Sequence, residues 1–317
     1  MDLRDKILKF PEQIKAGLDS AKDFKLDREY KHVILCGMGG SIIPAEIFVL
    51  FAGQNHLETG YEIWKDYDLP PKTAVDDLVV CISWSGTTEE TISSCQAAIS
   101  KNLQTVVITK GGELGEIARQ NNLRAVVMPQ DDLPPRFATG YMTAALFSVL
   151  GYGQELGSSL DPKKSEDKGR RLAGEIGDKI PLLYSSFPWR KITAAWKILF
   201  NENCKIHAFW NTFPGLSHNE LAAFQQRSSF YPIIFRESEP NPRIEKNFKA
   251  AIAIFKRMGY NYNIVNLSEE TQGNALEIAL NNYLLGLWTS YYLAQNLGVK
   301  PEDINLIEEF KQLKKEA

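Results

Sequence analysis

From Lys31 onward, short apolar runs alternate with longer segments of helical periodicity. In the first half the apolar runs are HVILC, YEIWKDY, LVVCIS, QTVVIT and RAVVMP. Helices are predicted from about Ile42, from about Thr88 and over GELGEIARQ. Such alternation is typical of strand-helix-strand units that stack into a parallel sheet with helices on both faces.

A second series of the same kind follows the polar stretch SSLDPKKSEDKGRRLAGEIGDK, whose charged and turn residues suit a connection between domains. Its predicted strands are IPLLYSS, KIHAFW, YPIIFRE and NYNIVNL, followed by helices from about Lys191, Ser217, Ile244 and Gln272. We therefore predict an α/β protein with two subdomains, residues 1–152 and 153–317, each a three-layer arrangement of a parallel sheet between helices.

Two helices close the predicted structure. The segment from about Asn274 to Asn296 is apolar nearly all round, which predicts burial on more than one side. An amphipathic helix from Glu302 to Lys315 follows it. The N-terminal segment MDLRDKILKFPEQIKAGLDS is charged and amphipathic, so it is interpreted as a helix and not as a secretion signal.

Composition narrows the class of protein. With 44% hydrophobic and 24% charged residues, the 317-residue chain has the balance of a soluble globular protein. A net charge of -3 with scattered Lys and Arg disfavours a nucleic-acid partner, and no run is long enough for a membrane span. The four cysteines form no CxxC pair and the four histidines no metal-ligand pair, so no metal is predicted. A cytoplasmic location is expected.

The first candidate binding turn is Gly37-Met38-Gly39-Gly40-Ser41, between a predicted strand and helix. Glycines let a backbone approach a ligand closely, and the free N–H groups of a helix start attract anions. A dinucleotide fingerprint fails because Ile42 stands at its third glycine, and no Gly-Lys-Ser/Thr follows to make a P-loop. The alternative for this motif alone is a tight turn without a ligand.

The second candidate turn is SWSGTTEET, which carries Ser83, Ser85, Thr87 and Thr88 around Gly86. In an open parallel sheet, ligands bind at the carboxyl ends of the strands, where both turns are predicted to lie. Hydroxyls together with helix-start amides can hold a phosphate. Helix capping explains any one of these hydroxyls, but four within six residues exceed what one cap requires.

These two turns resemble the sugar isomerase (SIS) domain, and nearly the whole chain is similar to the bifunctional phosphoglucose/phosphomannose isomerases. Segments that carry the resemblance are GMGGS, KDYDLP, SWSGTTEET, LPPRFATGY, FNENCK, LSHNELAAF and YYLAQNLGVKP. The sequence departs from the family at Lys300, where an aspartate is usual, and at Asn296, where a basic residue is common.

The resemblance implies an isomerase that interconverts glucose 6-phosphate, and mannose 6-phosphate as well, with fructose 6-phosphate through a cis-enediol. It implies no cofactor, and a homodimer with shared active sites. Glu202 would be the catalytic base, His218 would open the sugar ring and Arg136 would lie near the base. Phosphate binding is implied for Gly40, Ser41, Ser83, Ser85 and Thr88, and a sugar contact near the reacting carbons for Thr289.

Two expectations come from the residues around these positions. Glu202 follows the apolar run WKILF, so we expect it to be buried. Ser217 and Glu220 have the spacing of a capping box, which would place His218 in the first turn of a helix.

Two other classes of function remain open. One is a non-catalytic SIS module that binds a sugar phosphate and regulates a partner. The other is a different SIS-type sugar-phosphate isomerase or epimerase. A regulator would need the hydroxyl-bearing turns but neither Glu202 nor His218, and both are present.

Overall fold

The computed structural model describes residues 2–157, 160–226, 228–269 and 273–316. It divides into two compact units: unit 1 comprises Met1–Lys163 and Ser268–Asn282, and unit 2 comprises Lys164–Leu267 and Tyr283–Ala317. The domain boundary between residues 152 and 153 stays a prediction.

Unit 1 contains a five-stranded sheet in which all neighbouring strands are parallel, in the order β2-β1-β3-β4-β5. Its central strands are continuous apolar runs because both faces of the sheet are covered by helices. The strands are β1 (His32–Cys36), β2 (Gly60–Trp64), β3 (Leu78–Ser83), β4 (Gln104–Thr109) and β5 (Arg124–Val127), and the helices are α1 (Leu3–Leu8), α2 (Phe10–Ser20), α3 (Ile43–Gln54), α4 (Glu89–Ser100), α5 (Gly112–Gln120) and α6 (Thr139–Val149).

Glycines allow α2 and α6 of unit 1 to pack closely. A Cβ at Gly140 would lie 2.8 Å from the Gln13 Cβ, and a Cβ at Gly17 would collide with the carbonyl oxygen of Tyr141. This tight seam fixes the start of α6, which directly follows the turn that carries Arg136.

Unit 2 repeats the plan with a four-stranded parallel sheet in the order β7-β6-β8-β9. Its core includes an aromatic cluster from strands and helix together. The strands are β6 (Ile180–Ser186), β7 (Phe209–Phe213), β8 (Phe230–Arg236) and β9 (Asn263–Asn266), and the helices are α7 (Glu166–Ile176), α8 (Arg190–Cys204), α9 (Pro242–Arg257) and α11 (Asn305–Glu316). The long helix α10 (Ala275–Asn296) belongs to unit 1 up to Asn282 and to unit 2 from Tyr283.

The predicted class, α/β with two parallel sheets flanked by helices, is confirmed. The long C-terminal helix is also confirmed: α10 is buried at every position from 282 to 291. Gln272, from which that helix was predicted to begin, lies outside the described residues. The amphipathic helix predicted from Glu302 begins instead at Asn305.

Two predictions about unit 2 were wrong. The strand expected over KIHAFW begins later, at Phe209, and ends at Phe213. Lys205, the first residue of the predicted strand, instead forms the C-terminal cap of helix α8. Asn201 donates its side-chain N–H to the Ile206 carbonyl, which holds this segment in a turn. The helix expected from about Ser217 is replaced by two short 3₁₀ segments, Gly215–His218 and Glu220–Gln225.

Candidate active site

The turn after β1 packs closely against the rest of unit 1. The Gly37 N–H donates to the Trp64 carbonyl, so the chain leaves β1 alongside the end of β2. Gly39 has a φ of 53°, a left-handed conformation that favours glycine. The 3₁₀ segment Gly39–Ile42 then leads directly into α3, and Gly40 and Ser41 are both buried. The turn therefore joins the carboxyl end of β1 directly to a helix start.

The turn after β3 is organised by hydroxyl groups. Ser83 Oγ accepts the Gly86 N–H at 3.1 Å and lies 2.9 Å from Thr88 Oγ1. Ser85 Oγ lies 3.0 Å from Thr87 Oγ1. Thr88 occupies the N-cap position of α4, but its side chain makes no capping hydrogen bond. Helix capping therefore does not account for the Thr88 hydroxyl.

A hydrogen bond joins the two turns. The backbone N–H of Trp84 donates to Ser41 Oγ at 3.1 Å. An oxygen that accepts from the backbone keeps its own hydrogen available for a ligand. The arrangement thus gathers hydroxyls and two helix starts at one edge of the sheet, which is a suitable environment for a phosphate dianion.

The Trp84 side chain supports the second turn, a role that the sequence did not indicate. Its indole is buried and stacks on Tyr141 with ring centroids 5.5 Å apart. Lys110 Nζ lies 5.6 Å from the Trp84 ring centroid and donates to the Asp131 carbonyl. Tyr141 donates to Asp131 Oδ2, and burial with this carboxylate raises the pKa of Tyr141 to about 12.

Arg136 belongs to unit 1 and lies beside the first turn. It occupies the 3₁₀ segment Pro135–Phe137 and is fully buried. The absence of a Cβ at Gly40 lets the Arg136 backbone approach the turn closely. The neighbouring Phe137 carbonyl accepts a buried hydrogen bond from Gln13 Nε2 at 2.9 Å.

Glu202 lies in unit 2, in the last turn of α8. The residue is half-buried, whereas the sequence predicted that it would be buried. The end of α8 is fixed because Lys205, with a φ of 57°, donates its ammonium to the Glu202 and Asn203 carbonyls. Asn203 Nδ2 also donates to Ser290 Oγ on α10 at 2.8 Å. The carboxylate is therefore carried by a backbone with little freedom to move.

His218 is exposed and ends the 3₁₀ segment Gly215–His218. The predicted capping box is wrong, and with it the placement of His218 in a first helical turn. Ser217 Oγ donates to Asn247 Oδ1 on α9, and the Glu220 carboxylate accepts from Tyr184 and Asn211. Both side chains are used in tertiary contacts, so neither caps a helix.

Thr289 is fully buried in the middle of α10. Its hydroxyl donates to the Leu285 carbonyl one turn earlier at 2.7 Å. The oxygen keeps a lone pair with which it can accept a hydrogen bond. Asn296, at the end of the same helix, is exposed.

The structure thus places the predicted phosphate-binding residues and Arg136 in unit 1, and Glu202, His218 and Thr289 in unit 2. Among the described residues, no group of three or more His, Cys, Asp or Glu side chains could hold a metal ion. Within the same ranges, no helix has the length and apolar character needed to cross a bilayer.

Residues 165–313 match the bacterial phospho-glucose isomerase C-terminal SIS domain. The chain is 31% identical over 311 residues to a bifunctional phosphoglucose/phosphomannose isomerase of Aquifex aeolicus, covering 94% of each chain. A protein of the same name from Thermoplasma volcanium is also 31% identical, over 98% of this chain and 99% of its own length.

A relative with a different activity is also found. The chain is 28% identical over 292 residues to a D-glucosamine-6-phosphate 4-epimerase of Sulfolobus acidocaldarius, covering 87% of each chain. Among solved structures, a hypothetical protein of Thermus thermophilus has a TM-score of 0.76 at 15% identity, over 98% of this chain and 89% of that one. Tagatose-6-phosphate ketose/aldose isomerase of Escherichia coli has a TM-score of 0.66 at 14% identity, over 95% and 94%. These two likenesses support the fold alone.

Proposed function

Because the chain belongs to the bifunctional phosphoglucose/phosphomannose isomerase family, we propose that it interconverts glucose 6-phosphate and mannose 6-phosphate with fructose 6-phosphate. The observation that carries the proposal beyond the family is the hydrogen bond that joins the two hydroxyl-bearing turns, between Trp84 N–H and Ser41 Oγ. It gives the sugar phosphate's anionic group one continuous binding surface.

The phosphate is bound by unit 1 in this scheme. Helix-start amides and hydroxyls bind it without a lysine, so the charge of the dianion is balanced by dipoles and released again at the end of turnover. Ser41 supplies a hydroxyl already oriented by its bond to Trp84. The residues proposed to contact the phosphate are Gly40, Ser41, Ser83, Ser85 and Thr88.

Glu202 is proposed as the catalytic base. An aldose becomes a ketose when the proton on C2 is removed and returned to C1 through a cis-enediol, so one carboxylate on one face of the sugar can serve both steps. The half-buried position of Glu202 at the fixed end of α8 suits this task. The carboxylate takes a proton from C2 and returns one to C1, with partial exchange with solvent in between, and the scheme needs neither a metal nor a nucleotide.

Arg136 is proposed to stabilise the negative charge that develops on the enediolate. A guanidinium retains its charge in a buried environment and offers several directed N–H donors. Its full burial in a turn held by Gln13 fixes where those donors can reach. Thr289 is proposed to contact the sugar near C2, where glucose and mannose differ.

His218 is proposed to open the sugar ring, as an acceptor and then donor of the ring hydroxyl proton. It is exposed on its own chain while its turn is anchored by neighbouring side chains. An exposed but anchored histidine is suited to reach a site on a second copy, which supports a homodimer with shared active sites.

The D-glucosamine-6-phosphate 4-epimerase of Sulfolobus acidocaldarius supports a second candidate, an epimerase of amino-sugar phosphates. The two reactions involve different carbons. Isomerisation exchanges the C2 proton with solvent, whereas epimerisation at C4 leaves that proton in place.

One assay separates the candidates. The purified protein is supplied with glucose 6-phosphate, mannose 6-phosphate or glucosamine 6-phosphate in D₂O, with and without EDTA, and products and deuterium are followed by NMR. We expect fructose 6-phosphate from the first two, with deuterium at C1 of this ketose and, after the reverse reaction, at C2 of the aldose, and no effect of EDTA. Conversion of glucosamine 6-phosphate alone would establish the epimerase and refute the isomerase.

We also propose a cytoplasmic location. All four cysteines are buried free thiols, the form that a reducing compartment maintains.

A further inference from the structure

The turn that carries His218 is unusually well anchored for an exposed segment. Exposed turns ordinarily have few buried contacts and move freely. Here the side chains of Ser217 and Glu220, which flank His218, are both hydrogen-bonded to other elements of unit 2. Leu216, two residues before His218, is fully buried.

The stronger anchor is the Glu220 carboxylate. Tyr184 donates its phenolic hydrogen to Glu220 Oε1 at 2.5 Å, and Asn211 donates to Glu220 Oε2 at 2.7 Å. Tyr184 and Asn211 are direct partners in the register of β6 and β7. Two neighbouring strands of the sheet therefore hold the two oxygens of one carboxylate.

The Tyr184 hydroxyl remains protonated and therefore remains a hydrogen-bond donor. The residue is fully buried, and burial together with the Glu220 charge holds the pKa of Tyr184 well above its usual range. The phenol therefore keeps its proton at every pH at which the enzyme would be assayed. Hydrogen bonds to an ionised acceptor are about twice as strong as neutral ones.

The second anchor acts on the other side of the histidine. Ser217 Oγ donates to Asn247 Oδ1 at 3.0 Å, and Asn247 Nδ2 donates to the Arg243 carbonyl within α9. The backbone of His218 is thus held between β6 and β7 on one side and α9 on the other.

We propose that Tyr184 is a positioning residue for His218, acting through the Glu220 carboxylate to fix the turn from which the histidine opens the sugar ring. The inference rests on the ring-opening role proposed for His218. Tyr184 would thus contribute to ring opening from the core of the sheet, without contact with the substrate.

Tyr184→Phe tests the proposal because it removes one hydroxyl and preserves the ring. That ring packs against Phe213 and Phe255, contacts that a phenylalanine retains. Tyr231→Phe is the matched control: Tyr231 is also buried in unit 2, on β8, and donates to a carboxylate, Glu175 Oε2, at 2.7 Å. That carboxylate belongs to α7 and not to the His218 turn.

The readout isolates ring opening from isomerisation. Opening and reclosing the ring exchanges the α and β anomers of glucose 6-phosphate, and exchange NMR measures this rate above the spontaneous one. The measurement is made in a Glu202→Gln background, in which proton transfer at C2 is removed. We expect the enzyme-dependent exchange rate to fall about tenfold or more on adding Tyr184→Phe, and to remain within about twofold on adding Tyr231→Phe.

A combination with His218→Ala distinguishes positioning from a general structural role. If Tyr184 acts through His218, adding Tyr184→Phe to His218→Ala produces no further loss. Equal anomer exchange with and without Tyr184→Phe, or losses that multiply with those of His218→Ala, would overturn the inference. If Tyr184→Phe does not fold, as judged by its thermal melting, Glu220→Gln undergoes the same measurements with the same expectations.

The outcome also separates this inference from the function on which it rests. If His218→Ala leaves anomer exchange intact, the ring-opening role itself is wrong and the positioning role is overturned with it. If His218→Ala lowers the exchange rate and Tyr184→Phe does not affect it, only the positioning role is wrong.

Discussion

Gly40 and Arg136 are in direct backbone contact: a Cβ on Gly40 would lie 2.6 Å from the Arg136 nitrogen and 3.0 Å from its Cα. The glycine is required for space at this position, since the collision would be with backbone atoms that cannot rotate away. The contact sets the position of the fully buried Arg136 relative to the turn of residues 37–41, the first of the two turns proposed to bind phosphate.

Gly40→Ala should therefore separate the turn from Arg136. We expect a loss of about 1–3 kcal/mol in the free energy of unfolding, typical of overpacking, and at least roughly a tenfold fall in kcat/KM. Gly53→Ala is the control, because a Cβ there meets nothing within 4 Å and α3 should gain about 0.5–1 kcal/mol. Equal activity of the two variants in steady-state assays would contradict the proposed role of the contact.

Ser41→Ala removes both the acceptor for the Trp84 N–H and the proposed donor to the phosphate. The lost interactions are worth about 1–3 kcal/mol, so we expect KM and the inhibition constant of inorganic phosphate to rise about 5-fold to 100-fold while kcat changes less. Ser100→Ala, which removes a hydroxyl that donates only to the Ala97 carbonyl at the end of α4, should leave both constants unchanged. A fall confined to kcat would argue against phosphate binding by Ser41.

Glu202→Gln preserves the shape of the side chain and removes the base. General base catalysis typically contributes about 10² to 10⁴-fold, so we expect kcat to fall by this factor while the inhibition constant of phosphate stays within about twofold. Deuterium incorporation at C2 should fall in parallel. Glu308→Gln, on the exposed face of α11, is the control. A Glu202→Gln variant that kept most of its rate would show that another group is the base.

Thr289→Val tests the sugar contact with an isosteric change. The substitution removes a hydroxyl whose hydrogen is donated to the Leu285 carbonyl, so the helix should lose about 1 kcal/mol of stability or less. We expect kcat/KM to fall about fivefold more for mannose 6-phosphate than for glucose 6-phosphate. Thr143→Val, in the buried part of α6, is the control for loss of a buried hydroxyl. An unchanged ratio of the two substrates would exclude Thr289 from their discrimination.

The errors of the sequence-based predictions lie where tertiary partners compete with local patterns. Ser217 and Glu220 have capping-box spacing, yet Asn247, Tyr184 and Asn211 bind their side chains instead. The partners come from distant positions in the chain, so no local window around the motif could reveal them. Glu220 was therefore interpreted as a cap, and Tyr184 was not singled out.

The sequence by itself determined the alternation of strands and helices, because strands buried on both faces must be continuous apolar runs. It also indicated both turns, since glycines and several hydroxyls at the carboxyl ends of parallel strands are typical of ligand-binding turns. Only the tertiary structure decided how those groups are connected: the Trp84 bond to Ser41, the Gly40 contact with Arg136 and the Tyr184 bond to Glu220. Each joins residues far apart in the chain, and such contacts are specified by packing of the whole sheet and its helices, which no local pattern encodes.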